Sequence, residues 1–404
     1  MEKVINKNQG VINNKYFLFW TRFFVELNAL NAVVQLFYLR RGLTNSDILY
    51  LGIVYSITAL LFEIPTGYLA DMFGRKKVII LGVILSIIVN LLMFQASGFW
   101  QFALITALYS LSYSCFSGTD DALIYDSLRQ TGDTKSLLRI SGKYLSAARS
   151  SKIITPFIGA LIAGNLVNWQ FNILIGINAL SSFVALIFSA KLVEPNRYID
   201  VSEKEIGVFK DSVVLLRKNP DLTRIIFNKT LVFIVDLILW KVYQPILTGM
   251  GISVFMLGVL YLFFQSFLTL IYWYPEYFKN KLGHYNIFKY VPIFMLLLAI
   301  YIFLGNQKYL VYIAVTIFFA IATARDPYFT ELLQQKLKSY NRATSTSLLN
   351  FFKSILDIPL LLISGLLASG NIKNTLLIPI VILTIVVLFV QIKKSDLKKN
   401  TNFT

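Results

Sequence analysis

One cysteine, Cys115, and one histidine, His284, stand in 404 residues, and only 21 Asp and Glu face 38 Lys and Arg. A single cysteine rules out a disulfide within the chain. Lying in an apolar stretch, it reads as a small buried hydrophobe. A single histidine in a polar loop leaves no histidine cluster for a metal and no Ser–His pair inside an apolar run for hydrolysis. No Gly-x-x-x-x-Gly-Lys-Ser/Thr element occurs, so neither a nucleotide-driven pump nor a bound cofactor is expected, and the chain does not read as an enzyme.

Charge of either sign is scarce. Charged residues make up 15% of the chain against 56% apolar, and the mean hydropathy is positive. A soluble domain of that composition would leave far more apolar surface than water tolerates. The net charge of +17 does not point to nucleic acid, because the cations fall in gaps between apolar runs. That placement describes topology and contact with anionic lipid.

A membrane span needs about 20 apolar residues. Twelve such runs are predicted, near 16–38, 46–69, 78–95, 100–119, 143–165, 168–190, 223–247, 252–273, 287–305, 308–330, 343–368 and 373–392. The first follows a polar stretch with Lys3, Lys7 and Lys15 and lacks a small-residue cleavage site, so it reads as an uncleaved span. A polar segment, 191–222, separates a first half (1–190) from a second (223–404) and has room for a surface helix at 206–216. With the N-terminus inside, the cytoplasmic segments hold 28 Lys and Arg and the external loops four, which puts both ends in the cytoplasm.

The halves echo each other. Asp121-Ala-Leu-Ile-Tyr-Asp126 returns as Asp326-Pro-Tyr-Phe-Thr-Glu331, 205 residues on, and Gly159–Gly164 returns as Gly365–Gly370, 206 on. A third pair is Gly74-Arg75 and Gly283-His284, 209 apart. One near-constant offset argues for a duplicated six-helix unit. Six is even, so the copies are parallel, and the expected fold class is an all-α membrane protein of twelve transmembrane helices in two six-helix repeats.

Gly67-Tyr-Leu-Ala-Asp71-Met-Phe-Gly74-Arg75-Lys76-Lys77 is a glycine-punctuated basic turn between two apolar runs. It resembles the signature loop between helices 2 and 3 of the major facilitator superfamily, Gly-x-Leu-Ala-Asp-Arg-x-Gly-Arg-Lys, departing from it at Met72. In that family the loop stabilises one conformation of alternating access, so the resemblance implies a gating role for Gly67, Asp71, Gly74 and Arg75. Asp71 reads as a helix cap or cation partner, and Arg75 as reaching a neighbouring helix end. Thr155-Pro156-Phe157-Ile158-Gly159-Ala160 resembles the Gly-Pro-x-x-Gly-Gly element of drug/proton antiporters. Residues 104–118 hold no cation where many such antiporters carry an arginine.

Charges inside apolar runs are costly and therefore informative. Glu26 in the first span and Asp236 in the seventh are acids at matching depth in the two copies, candidates for binding cargo or a coupling proton. A structural ion pair is the competing reading, with Arg22 one turn from Glu26 and Lys241 close to Asp236. Treated as one continuous helix, the first span also puts Asn28, Asn31 and Gln35 on a polar stripe nearly opposite Arg22 and Glu26. Asp120 and Asp121 lie close in depth to Arg149 and Lys152 and read as an inner-side salt-bridge gate or brace. Arg325 with Asp326, and Lys353 with Asp357, read as the same brace in the second copy.

The function expected is secondary transport in a bacterial plasma membrane: export of amphipathic, drug-like molecules against proton entry, by a monomer with a small-molecule substrate, a coupling proton and the bilayer as partners. Uptake of a sugar or organic anion, with Arg149, Lys152 and Lys241 as anion contacts, is one alternative. A non-transporting sensor or assembly protein is another.

Overall fold

The computed structural model describes residues 2–133, 137–196, 219–336 and 342–397. The surface helix expected at 206–216 lies outside them. In the first half the helices are α1 (Glu2–Glu26), α2 (Val34–Arg40), α3 (Asn45–Phe73), α4 (Arg75–Met93), α5 (Gly98–Phe116), α6 (Thr119–Thr131), α7 (Leu137–Ile162) and α8 (Asn168–Ala190). The second half has α9 (Pro220–Gly249), α10 (Val254–Trp273), α11 (Pro275–Leu282), α12 (His284–Leu304), α13 (Lys308–Ala324), α14 (Asp326–Lys336), α15 (Arg342–Ala368) and α16 (Leu377–Leu388), with 3-10 turns at Ile372–Leu376 and Lys394–Leu397. No strand occurs among the described residues. Each of the twelve predicted spans falls on one helix or on a helix broken once.

Among the described residues, six helical stretches are long and apolar enough to cross a membrane: Asn45–Phe73, Arg75–Met93, Asn168–Ala190, Val254–Trp273, His284–Leu304 and Lys308–Phe329. The remaining spans are shorter, interrupted or more polar. Large apolar side chains such as Leu61, Leu104, Phe263, Phe294 and Leu366 stand exposed along the helices, a surface that hydrocarbon covers and water does not.

The chain forms two compact units. The first comprises Met1–Leu43, Val54–Val201 and Ser253–Leu262, the second Thr44–Ile53, Ser202–Ile252 and Phe263–Thr404. In the first unit α4 packs on α5 and α8, and α1 on α7 and α8. Its core gathers Leu18, Val83, Phe116, Leu123 and Tyr144. In the second unit α12 packs on α13 and α16, and α9 on α16 and α15, around Ile225, Phe288, Phe329 and Ile392.

The first span is not continuous. α1 ends at Glu26 and the helix resumes only at Val34. Backbone groups freed at such a break must find partners inside a membrane protein, and α8 supplies them. Asn178 accepts from the Ala29 amide (2.8 Å) and donates to Asn28 Oδ1 (3.0 Å), while Ser181 donates to the Phe24 carbonyl (2.6 Å). Asn28 Oδ1 also accepts from the Leu30 amide at 3.0 Å. The single amide stripe expected from Asn28, Asn31 and Gln35 therefore dissolves. Asn28 holds the break, Asn31 lies within it, and Gln35 is buried on α2.

α7 approaches the same break. A Cβ at Gly159 would sit 1.7 Å from the Ala29 carbonyl oxygen, a clash with backbone that no rotamer relieves. Gly159→Ala is expected to cost about 1–3 kcal/mol and to lower the melting temperature of the detergent-purified protein. Gly67→Ala, with nothing within 4 Å of the new methyl group, is expected to leave it unchanged or raise it.

Candidate functional site

Helical spacing places Arg22 and Glu26 one turn apart at the end of α1, and their side chains meet at 2.8 Å. Lys152 of α7 reaches the other Glu26 oxygen at 2.6 Å. On the far side Arg22 lies 3.9 Å from Asp120 of α6, whose carboxylate also accepts a hydrogen bond from Tyr144. Tyr113, Phe116 and Tyr144 present their ring faces to the Arg22 guanidinium at 5.6–5.8 Å. Gly118, at φ +75°, ends the α5 run and lets α6 start, so Asp120 sits in the first turn and accepts from the Asp121 amide at 2.8 Å.

These four ions, two of each sign, form a neutral chain across three helices. Neutrality is what makes the cluster tolerable, since the low-dielectric interior strengthens each attraction but penalises any unpaired charge. The cluster is not uniformly closed. The Lys152 side chain is 32% exposed and that of Glu26 only 11%, so Lys152 is its accessible end. Asp121 is exposed, and Arg149 is half-buried on α7 one turn before Lys152. Lys152, read as a partner of the α6 acids, goes instead to Glu26.

Sequence reasoning passed over Glu63. This further acid within an apolar run, on α3, accepts from Ser117 Oγ at 3.4 Å. Its signal was the same as that of Glu26, a carboxylate in a hydrophobic stretch. Tyr55 and Tyr109, with ring centroids 6.2 Å apart, belong to the same unit.

The second unit is built differently. Arg325, between α13 and α14, is 1% exposed. It donates to Asn228 of α9 and stacks on Phe329 at 4.8 Å, while its Nε and Nη1 make no hydrogen bond among the described residues. Asp236, the counterpart of Glu26, makes no ion pair among the described residues, and its Oδ1 makes no hydrogen bond. The charge acting on it is Asp326, and the charge acting on Lys241 is Asp357. Asp236 and Lys241 are five residues apart, more than one turn, so they diverge around the helix. Lys353 lies over the Phe233 ring at 4.2 Å.

The basic loop is a clasp within the first unit. Gly74, at φ +111°, precedes α4. The first amides of that helix, Arg75 and Lys76, donate to the two Glu194 oxygens at 3.0 and 2.8 Å, so an acid beyond α8 caps the start of α4. Arg75 also pairs with Asp126 of α6 and donates to the Ala122 carbonyl at 2.8 Å. Burial pushes the Asp126 carboxyl up against the pull of Arg75. Asp71, read from sequence as a helix cap or cation partner, stands exposed, as does Met72. Glu194 was not legible because its partner lies 119 residues away.

The second unit repeats the clasp: Gly283, at φ +80°, precedes α12, and Lys279 meets Glu331 at 2.5 Å. Arg75 and Asp126 are the better buried pair, at 19% and 6% side-chain exposure against 30% and 36%. Arg75→Gln is therefore expected to cost about 3 kcal/mol, and Lys279→Gln less than about 1 kcal/mol. Denaturant or thermal unfolding of the two variants in the same detergent checks the order.

Against known proteins, the model of the Major Facilitator Superfamily matches residues 16–358. An uncharacterized transporter of Buchnera aphidicola subsp. Acyrthosiphon pisum (strain APS) is 26% identical over 73% of this chain and 74% of its own length. The multidrug resistance protein MdtG of Salmonella paratyphi C (strain RKS4594) is 31% identical over 45% of this chain and 43% of its own. Among solved structures, a point mutant of the nucleoside transporter NupG superposes with a TM-score of 0.75 at 14% identity, covering 94% of this chain and 98% of that one. A bacterial homolog of the human lysosomal transporter Spinster gives 0.72 at 16% identity, over 95% and 96%. With its twelve helical spans, its duplicated clasp and a family match over most of its length, this chain belongs to the major facilitator superfamily of membrane transporters.

Proposed function

We propose that this transporter exports amphipathic small molecules across a bacterial plasma membrane in exchange for protons, as a monomer with both termini in the cytoplasm, and that Glu26 carries the proton. The observation that carries this reading is the position of Glu26 between Arg22 and Lys152, at 2.8 and 2.6 Å, with Lys152 the accessible end. A proton arriving at Glu26 neutralises the carboxylate and removes the attraction that holds Lys152. The ammonium keeps its own charge and is released. Departure of the proton restores the pair. One proton thus toggles one side-chain contact between α1 and α7, as a coupling step requires.

Export rather than uptake is supported by the likeness to proteins named for multidrug resistance. Orientation is supported by the distribution of cations, 28 to four. Asp236 is assigned a secondary place: it has no cation to exchange against among the described residues. Asp71, Gly74 and Arg75, with the Asp120–Arg22 contact, are assigned to stabilising one state of the alternating cycle.

Glu26→Gln is expected to lower pH-gradient-driven flux of a lipophilic fluorescent compound in proteoliposomes by at least about tenfold. Insertion and gradient-independent counterflow should persist. Gradient-driven flux equal to that of the parent would remove Glu26 from coupling. Loss of counterflow as well would assign it to the translocation path instead.

A further inference from the structure

The start of α4 in the first unit and the start of α12 in the second are the same construction, a helix opening after a glycine at positive φ. They differ in what meets the opening. In the first unit Glu194 puts a carboxylate there. Asn14 donates to the Val193 carbonyl, just before that acid, and Asn228 donates to the Val390 carbonyl, both at 2.8 Å, so the segment after Val390 corresponds to the one that carries Glu194. It reads Gln391-Ile-Lys-Lys394, without an acid.

Two ammonium groups stand beside the ring of Tyr285, in the first turn of α12. Lys289, one turn after Tyr285 on α12, has its Nζ 5.9 Å from the Tyr285 ring centroid and 5.2 Å from that of Tyr290. Lys394 has its Nζ 5.4 Å from the same Tyr285 ring. Neither makes an ion pair among the described residues. Asp396, two residues after Lys394, is fully buried and occupied: Arg224 meets its two oxygens at 2.8 and 2.9 Å, and the Lys393 amide donates to it at 2.8 Å. These bonds, with buried Ile392 packed on Ile287 and Phe288, fix the backbone that presents Lys394.

Exposed Tyr290 stands beside Lys289, and exposed Trp273, Tyr274 and Tyr277 lie where α10 ends and α11 begins, residue types that form the aromatic girdle of a membrane–water boundary. We propose that Lys289 and Lys394, whose ammonium groups both stand within 6 Å of the Tyr285 ring, bind the phosphate of an anionic phospholipid. The headgroup supplies the negative charge that Glu194 supplies in the first unit, and the acyl chains lie along the aromatic girdle. Basic pockets at the cytoplasmic ends of spans take such headgroups. Only the assignment to the cytoplasmic leaflet rests on the orientation proposed above; the headgroup chemistry does not depend on it or on transport.

The full chain, purified in neutral detergent, is melted with added phosphatidylglycerol, phosphatidylethanolamine, or inorganic phosphate at matched ionic strength. Phosphatidylglycerol is expected to raise the melting temperature by about 5 °C, and the other two by about 1 °C or less. The Lys289→Gln/Lys394→Gln protein is expected to lose the phosphatidylglycerol shift, and Lys281→Gln, an exposed neighbour, to keep it. Should the double variant not fold, Lys394→Glu supplies an internal carboxylate beside Lys289 and is expected to melt without a response to phosphatidylglycerol. A full shift retained in either variant overturns the site. An equal shift from inorganic phosphate or phosphatidylethanolamine overturns the anionic lipid as its occupant.

Discussion

A charge in hydrocarbon must be neutralised where it stands, and the first unit does this with four side chains that share two charges of each sign. An isolated Arg or Asp at the centre of a span costs about 2.5–3.5 kcal/mol on insertion scales. Stripping one partner from a buried pair costs about 3–5 kcal/mol. Arg22, Glu26, Lys152 and Asp120 avoid both penalties together, through contacts of 2.8, 2.6 and 3.9 Å that run from α7 through α1 to α6. The weakest geometry is the Arg22–Asp120 contact, and the aromatic faces of Tyr113, Phe116 and Tyr144 compensate by surrounding the guanidinium. Arg22 is thereby held from all sides and is the fixed member. Lys152, on a flexible stem and 32% exposed, is the most accessible member.

The two halves keep one scaffold and divide the chemistry. Glycines at positive φ open α4 and α12, a cation–carboxylate clasp stands beside each, and an asparagine in the first helix of each half ties down the chain after the sixth span. Where charge sits near the middle, the copies part. The first turn of α6, after the break from α5, carries an acid, Asp120, and the matching position between α13 and α14 carries a base, Arg325. Glu26 has two cations, while Asp236 has none among the described residues. Repeats preserve what folding needs, the turns and end-of-helix bonds, because both copies meet the same bilayer boundaries. Ion chemistry is under no such constraint, so it can concentrate in one half.

How much of this was legible in the sequence follows from the range of each interaction. Hydropathy, the glycine–basic turn and the 205–209 residue offset are local or periodic, and from them came the spans, the loop and the duplication. Arg22 with Glu26 was legible because helical spacing alone brings them together. The break at 27–33 was not: no proline or glycine marks it, and it exists because Asn178 and Ser181, some 150 residues away, accept and donate in place of the missing helix bonds. Glu194, Tyr144 and Asn228 escaped for the same reason. Their roles are set by partners 24 to 119 residues off, and nothing in their own neighbourhood announces them. Glu63 is a different case, a visible charge in an apolar run whose meaning needed Ser117 beside it.

The break in the first span and the ion cluster are mechanically one device. Lys152 and Gly159 lie seven residues apart on α7, two turns and about 10 Å along one face. Lys152 holds Glu26, the last residue of α1, and Gly159 rests against the carbonyl of Ala29, three residues further on. A single helix face therefore clamps the chain on both sides of the point where its helix stops. The missing Cβ at Gly159 permits an approach so close that the contact cannot tilt without losing its fit, and a regular helix at 27–33 would leave no carbonyl turned outward to meet it. Under the proposed coupling, releasing Lys152 from Glu26 would free one jaw while the other still grips, so the loss of one ion pair would act as a pivot about Gly159 rather than a separation of the helices. In the proposed mechanism, a protonation event confined to Glu26 would thus act through a lever arm of two helical turns.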